Sequence, residues 1–224
     1  MTYQETIDAL KKLGTEPLRT KAIADGAGEN TLGVSPVKMT RLAKKINADQ
    51  KLAVELWNSS IADAQILATM IADVPASVEL LEAWIKGIHY QAVADAFVTN
   101  IVAKTSVVKE KMSQWIKSSD EFVLRCGYRV MEHLAQSDAS IPDSEFQDYL
   151  FGIRNGIQTA ANRAREGMYH ALIAIGKRNK RLNMEAIMTA SEVGKVYIES
   201  GGKMQALPSA MEILADKELR ATLT

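Results

Sequence analysis

Apolar residues recur along this chain at the spacing of helix faces. From Thr2 to Leu13 the residues Ile7, Leu10 and Leu13 fall on one stripe between charged positions, and Gly14 closes the segment. Ser35 and Pro36 stand in the order of an N-cap and a first helical residue, and Met39, Leu42, Ala43 and Ile46 carry the inward face onward. The same period predicts helices over 50–57, 60–73, 77–86, 90–103, 107–116, 120–135, 143–151, 159–176, 184–193 and 209–219. Gly26 to Ser35 reads as a loop and Gly201-Gly202 as a turn, and Lys195 to Glu199 is the one short strand candidate.

Helices of about three turns joined by short connections predict antiparallel neighbours. A weak repeat supports stacking. Trp57-Asn58-Ser59-Ser60 precedes an apolar helix with Ile66, Leu67 and Met70, and Trp115-Ile116-Lys117-Ser118-Ser119 precedes one with Leu124, Val130, Met131 and Leu134. Leu124-Arg125-Cys126-Gly127 has a counterpart in Ala164-Arg165-Glu166-Gly167, and the small Gly127 and Gly167 permit close helix approach. The predicted fold class is all-α, an α-α superhelix of the HEAT/armadillo-like solenoid kind, one domain of antiparallel helix pairs over residues 1–224.

Composition narrows the setting. The 224 residues are 47% apolar and 24% charged, enough to bury a core. Cys126 is the only cysteine, so no disulfide closes within the chain and a reducing, cytoplasmic location is expected. The N-terminus lacks the apolar core of a signal peptide, and no apolar run approaches the ~20 residues of a membrane span. Net charge is zero but unevenly placed: Asp49 to Asp95 holds seven acids against Lys51 and Lys86, while Phe151 to Arg181 holds seven cations against Glu166 alone. That second stretch is either a basic surface or the solvated faces of amphipathic helices.

Most chemistry-bearing motifs are missing. His89, His133 and His170 are scattered without metal-ligand spacing, so neither a metal nor a cofactor is expected. No lysine of a phosphate-binding loop follows Gly26-Ala27-Gly28, and no nucleophile elbow accompanies the serines.

Four blocks resemble the AlkD-like DNA alkylation repair enzymes. They are Gly33-Val34-Ser35-Pro36 leading into the basic run to Lys44; Leu56-Trp57 with Ala64 to Ala68; Trp115-Ile116 with Phe122 to Arg125; and Arg165-Glu166-Gly167-Met168 through Ala171-Leu172. Together they span roughly residues 30 to 210. The resemblance implies a HEAT-like solenoid whose concave basic groove holds duplex DNA and which excises N3- or N7-alkylated purines. The family's catalytic aspartate corresponds to Asp95, and a groove arginine to Arg125. The tryptophan four positions before that aspartate is replaced by Gln91, with Tyr90 beside it, and a second groove tryptophan falls close to Tyr169-His170. Arg154, Arg163 and Arg165 are candidate phosphate contacts, because backbone binding needs positive charge but no base-reading code. The family's C-terminal Asp-His-Gly and later cysteine are replaced by Glu199-Ser200-Gly201 and Gln205, so no chemistry is assigned there.

The implied chemistry is economical. A purine alkylated on a ring nitrogen is already a cationic leaving group, and loss of the base develops oxocarbenium character on the sugar. One carboxylate can stabilise that charge and orient water. An aromatic neighbour adds about 0.5–2 kcal/mol of cation–π attraction. Asp95 also has a plain reading, because Gln91, Asp95 and Thr99 share one polar helix face. Arg125 sits in an apolar helix, where it extends to the surface or pairs with an acid such as Asp95. Two functions stay open: an N-glycosylase acting on alkylated duplex DNA as a monomer, and a non-catalytic HEAT-like module that binds DNA or a protein partner.

Overall fold

The structure, a computed structural model, describes every residue from Met1 to Thr224. It divides into two compact units, residues 1–108 with 200–202, and 109–199 with 203–224.

The first unit contains α1 (Tyr3–Leu13), α2 (Glu16–Ala24), α3 (Pro36–Ile46), α4 (Gln50–Asn58), α5 (Ala62–Ile71), α6 (Val78–Ile85) and α7 (Gln91–Asn100), followed by a single 3-10 turn, Val102–Lys104. A capping box closes the start of α1: Thr2 accepts from the Glu5 amide, and the Glu5 carboxylate accepts from the Thr2 amide. The apolar faces of α1 and of α3 to α7 turn inward onto a core that includes Leu10, Leu56, Leu67, Leu81 and Phe97. Trp57 and Trp84 stack there with ring centroids 4.3 Å apart and an interplanar angle of 3°.

Asp63 organises the Gly26 to Ser35 loop. It lies in the first turn of α5 at 5% exposure, yet no basic side chain pairs with it. Its Oδ2 accepts from Thr31 Oγ1 at 2.9 Å and from the amides of Leu32 at 2.6 Å and Gly33 at 3.3 Å, and its Oδ1 accepts from the Val34 amide at 2.8 Å. Helix α2 completes the clamp. It buries no residue, and Arg19 donates from it to the Thr31 and Glu29 carbonyls. Gly33 has φ +72°, and a Cβ there would lie 2.3 Å from the Arg19 backbone nitrogen. The loop therefore leads into α3 along a fixed path.

The second unit contains α8 (Val108–Trp115, whose first residue groups with the first unit), α9 (Glu121–Ser137), α10 (Asp143–Gly156), α11 (Asn162–Gly176) and α12 (Lys180–Val193). Strands β1 (Tyr197–Ser200, whose last residue groups with the first unit) and β2 (Lys203–Ala206) and helices α13 (Ala210–Ala215) and α14 (Lys217–Thr222) follow. Helices α9 and α11 pack along their length around Cys126, Val130, Ala164, Ala171 and Leu172. Gly127 lets α9 approach α8, since a Cβ there would stand 2.7 Å from the Ile116 amide nitrogen. Arg178 closes the α9–α10 connection by donating to the carbonyls of Ala135, Asp138 and Ile141, with its guanidinium over the Phe146 ring.

The fold is all-α apart from one hairpin. Its strand begins at Tyr197, two residues later than the strand candidate at Lys195, and turns through Gly201 and Gly202, both at positive φ as a two-residue turn requires. Helices α10 and α12 are longer than the apolar pattern predicts, and 209–219 is broken by Asp216, which caps α14 through the Leu219 amide. No helix is long and apolar enough to cross a membrane.

Candidate nucleic-acid interface

In the first unit, α7 carries Gln91 and Asp95 on one polar face, one turn apart, while Val93, Ala94, Phe97 and Val98 are buried behind them against the core. Asp95, Gln91 and the preceding N-cap residue Tyr90 are all half-buried. Asp95 is thus neither fully buried nor fully exposed.

In the second unit, a polar layer runs between α9 and α11. Arg125 is 2% exposed, and its Nη1 donates at 2.9 Å both to the Arg163 carbonyl and to Glu166 Oε2. Glu166 Oε2 also accepts from Arg163 Nη1 at 3.3 Å, so one carboxylate serves two guanidiniums. The Arg163 amide donates to Glu121 Oε1, which ties the start of α11 to the start of α9. Further along the layer, Arg129 pairs with Glu132 one turn away.

His170 lies in the same layer. Burial pushes its pKa below 6.5, the Glu132 and Glu166 carboxylates oppose that shift, and Arg129 and Arg125 reinforce it. The imidazole is accordingly neutral at pH 7. Its neighbour Tyr169 meets it edge-on at 5.4 Å, is 4% exposed, and donates its hydroxyl to the Pro208 carbonyl at 3.0 Å.

The remaining arginines lie elsewhere. Arg165 donates to the Tyr197 and Ala160 carbonyls at 2.9 Å each, anchoring the hairpin to α11. Arg154 is exposed on α10, pairs with Glu192 of α12 at 3.1 Å, and lies over the Phe151 ring. The structure thus gathers Arg125, Arg163 and His170 in one layer with Tyr169 beside it, and sets Arg154 and Arg165 apart. Arg163 and Arg165 each direct guanidinium hydrogen bonds to protein atoms. Glu166, Glu121 and Glu132, absent from the sequence-based candidates, set the electrostatics of this layer. Arg163 to Glu166 and Arg129 to Glu132 both have i,i+3 spacing, the one sequence signal for them.

Paired helices, the charge-paired polar layer between α9 and α11, and a half-buried Asp95 on α7 accompany the fold of a HEAT-like helical-repeat protein. The sequence matches the family model described as DNA alkylation repair enzyme over residues 6–212, and the chain belongs to that family. Among solved structures it is similar to one described as belonging to "a new family of proteins related to the HEAT-like repeat DNA glycosylases with affinity for branched DNA structures". The two share 28% identity and a TM-score of 0.88, over 100% of this chain and 96% of the other. It is also 24% identical over 186 residues to an uncharacterized protein of Listeria innocua serovar 6a, covering 82% of this chain and 80% of the relative.

Proposed function

We propose that this protein binds branched DNA and does not cleave the glycosidic bond. The observation that carries the reading is the end-to-end likeness, at a TM-score of 0.88, to a protein with affinity for branched DNA structures. Two features of the site favour binding over catalysis. Gln91 stands one turn before Asp95 where the family's excising members have a tryptophan, which removes a face for cation–π attraction. Arg125, the arginine matched to the family's groove, donates from Nη1 to Glu166 and to the Arg163 carbonyl, so that nitrogen is engaged within the protein. Binding of this kind depends on phosphate charge and backbone geometry and needs no metal or cofactor.

The second reading is excision of alkylated purines, and the half-buried Asp95 on α7 favours it. In that chemistry the carboxylate would stabilise the oxocarbenium-like sugar and orient water as the base departs.

Two assays separate them. Gel retardation with a four-way junction, a three-way junction and a linear duplex of equal length should show preferential retention of the branched forms. Incubation of excess protein with alkylated duplex should release no free methylpurine. Equal retention of all three DNAs contradicts the binding preference, and release that disappears in Asp95→Asn establishes the enzyme.

A further inference from the structure

Positive charge on this chain is misleading when counted by segment. The arginine-rich stretch from Phe151 to Arg181 looks like the basic surface, but Arg163, Arg165 and Arg178 donate to backbone carbonyls or to Glu166. Helix α3 presents the opposite case. From Asn30 to Ala48 the chain has four cations and no acid. Met39, Leu42 and Ala43 are buried, which turns Arg41, Lys44 and Lys45 outward, and all three are exposed. None of them forms an ion pair or a hydrogen bond to the protein.

The surroundings extend this face. Lys38 donates to the Leu13 carbonyl at 3.0 Å, which brings the last turn of α1 against the first turn of α3. That last turn carries Lys11 and Lys12, both exposed. The helix is held firmly from behind, because the Asp63 carboxylate fixes Leu32, Gly33 and Val34 just before it. Lys44 and Lys45 also complement the C-terminal end of the α3 dipole, but that role gives no reason for Arg41, a full turn earlier.

We propose that the outer face of α3, through Arg41, Lys44 and Lys45, is a contact surface for nucleic-acid phosphates. Along α3 the rise from Lys38 to Lys45 is about 10 Å, comparable to about three phosphate steps along one strand. An unpaired, fixed row of cations suits a polyanion, where each contact releases a condensed counterion. It suits no particular base sequence. This inference rests on the DNA-binding reading above and adds a surface in the first unit to it.

The test is the salt dependence of DNA affinity for the full chain carrying Arg41→Gln, Lys44→Gln and Lys45→Gln together. A charge-matched control carries Lys21→Gln, Lys51→Gln and Lys86→Gln, which are also exposed. Circular dichroism and melting confirm that both fold. The α3 variant should bind a four-way junction about tenfold or more weakly at 100 mM salt, with a log–log salt slope shallower by about 2 to 3, while the control keeps the wild-type slope within about 1. An α3 variant with wild-type affinity and slope overturns the surface and leaves the branched-DNA reading standing. A wild-type protein that binds junction and linear duplex equally removes the branch preference, and the slopes still decide the surface. A wild-type protein that binds no DNA removes both. If the substitutions abolish binding to vesicles of anionic phospholipid but not to DNA, the face reads lipid and the proposal fails.

Discussion

Replacing Asp63 probes the feature on which the placement of α3 depends. Its carboxylate accepts four hydrogen bonds at 5% exposure, three of them on Oδ2. Asparagine offers one acceptor oxygen. If that oxygen takes the Oδ2 position, the amide NH2 faces the Val34 N–H, donor against donor, and a partly buried amide loses its partner at a cost of about 1–3 kcal/mol. Alanine removes all four acceptor contacts. Leu32 and Val34 are half-buried, so water recovers part of the loss, and the net cost should be about 3–5 kcal/mol. For a chain of this size each kcal/mol lowers Tm by about 2–4 °C. Urea unfolding measures the global effect, and amide hydrogen exchange reads the loop directly. Protection at Leu32, Gly33 and Val34 should fall in Asp63→Asn and vanish in Asp63→Ala. An alanine variant within about 1 kcal/mol of wild type, or one that keeps those amides protected, would refute the argument.

Four further outcomes test the second unit. Glu166→Gln leaves Arg125 and Arg163 facing a neutral amide, and should destabilise the protein by about 1–3 kcal/mol in urea, against no change for Glu192→Gln on the exposed Arg154 pair. Gly127→Ala drives a Cβ to within 2.7 Å of the Ile116 nitrogen and 2.9 Å of the Trp115 carbonyl carbon, backbone that cannot rotate aside, and should cost about 1–3 kcal/mol. Gly152→Ala, on the same scale, meets nothing within 4 Å inside α10 and should stabilise by about 0.5–1 kcal/mol. His170 is held below its ordinary pKa, so the unfolded chain takes up its proton first. Its contribution to stability is complete above about pH 6.5 and is lost as pH falls from there toward the lowered value. The fall in Tm between about pH 7 and 5 should therefore be smaller in His170→Gln, and an identical fall in both proteins would contradict the lowered pKa of the half-buried imidazole.

The helical pattern of this fold is legible in the sequence because apolar spacing alone decides which face of a helix turns inward. Met39, Leu42 and Ala43 mark the buried side of α3, and Ser35-Pro36 marks its start. Helix α2 escapes that logic. It buries nothing, and its place is set by Arg19 reaching backbone carbonyls of a glycine-rich loop. Asp63 is equally silent in sequence, an acid at the start of an apolar helix whose partners lie 29 to 32 residues earlier. The candidate site follows the same rule. Sequence shows that residues 151–181 are rich in arginine, but the destination of a guanidinium depends on a carboxylate or carbonyl brought close by folding. The Arg125 to Glu166 pair spans 41 residues and the Arg165 to Tyr197 contact 32. Neighbouring acids make the difference for α3, where their absence over a whole segment is visible directly.

The central claim is a preference for DNA branch points without base excision, and competition binding addresses it most directly. With a fluorescent four-way junction bound at physiological salt, unlabelled junction should displace it at far lower concentration than unlabelled linear duplex of the same length, and the recovered DNA should carry no abasic sites. Displacement by both competitors at the same concentration, or abasic sites accumulating in alkylated duplex, would contradict the account.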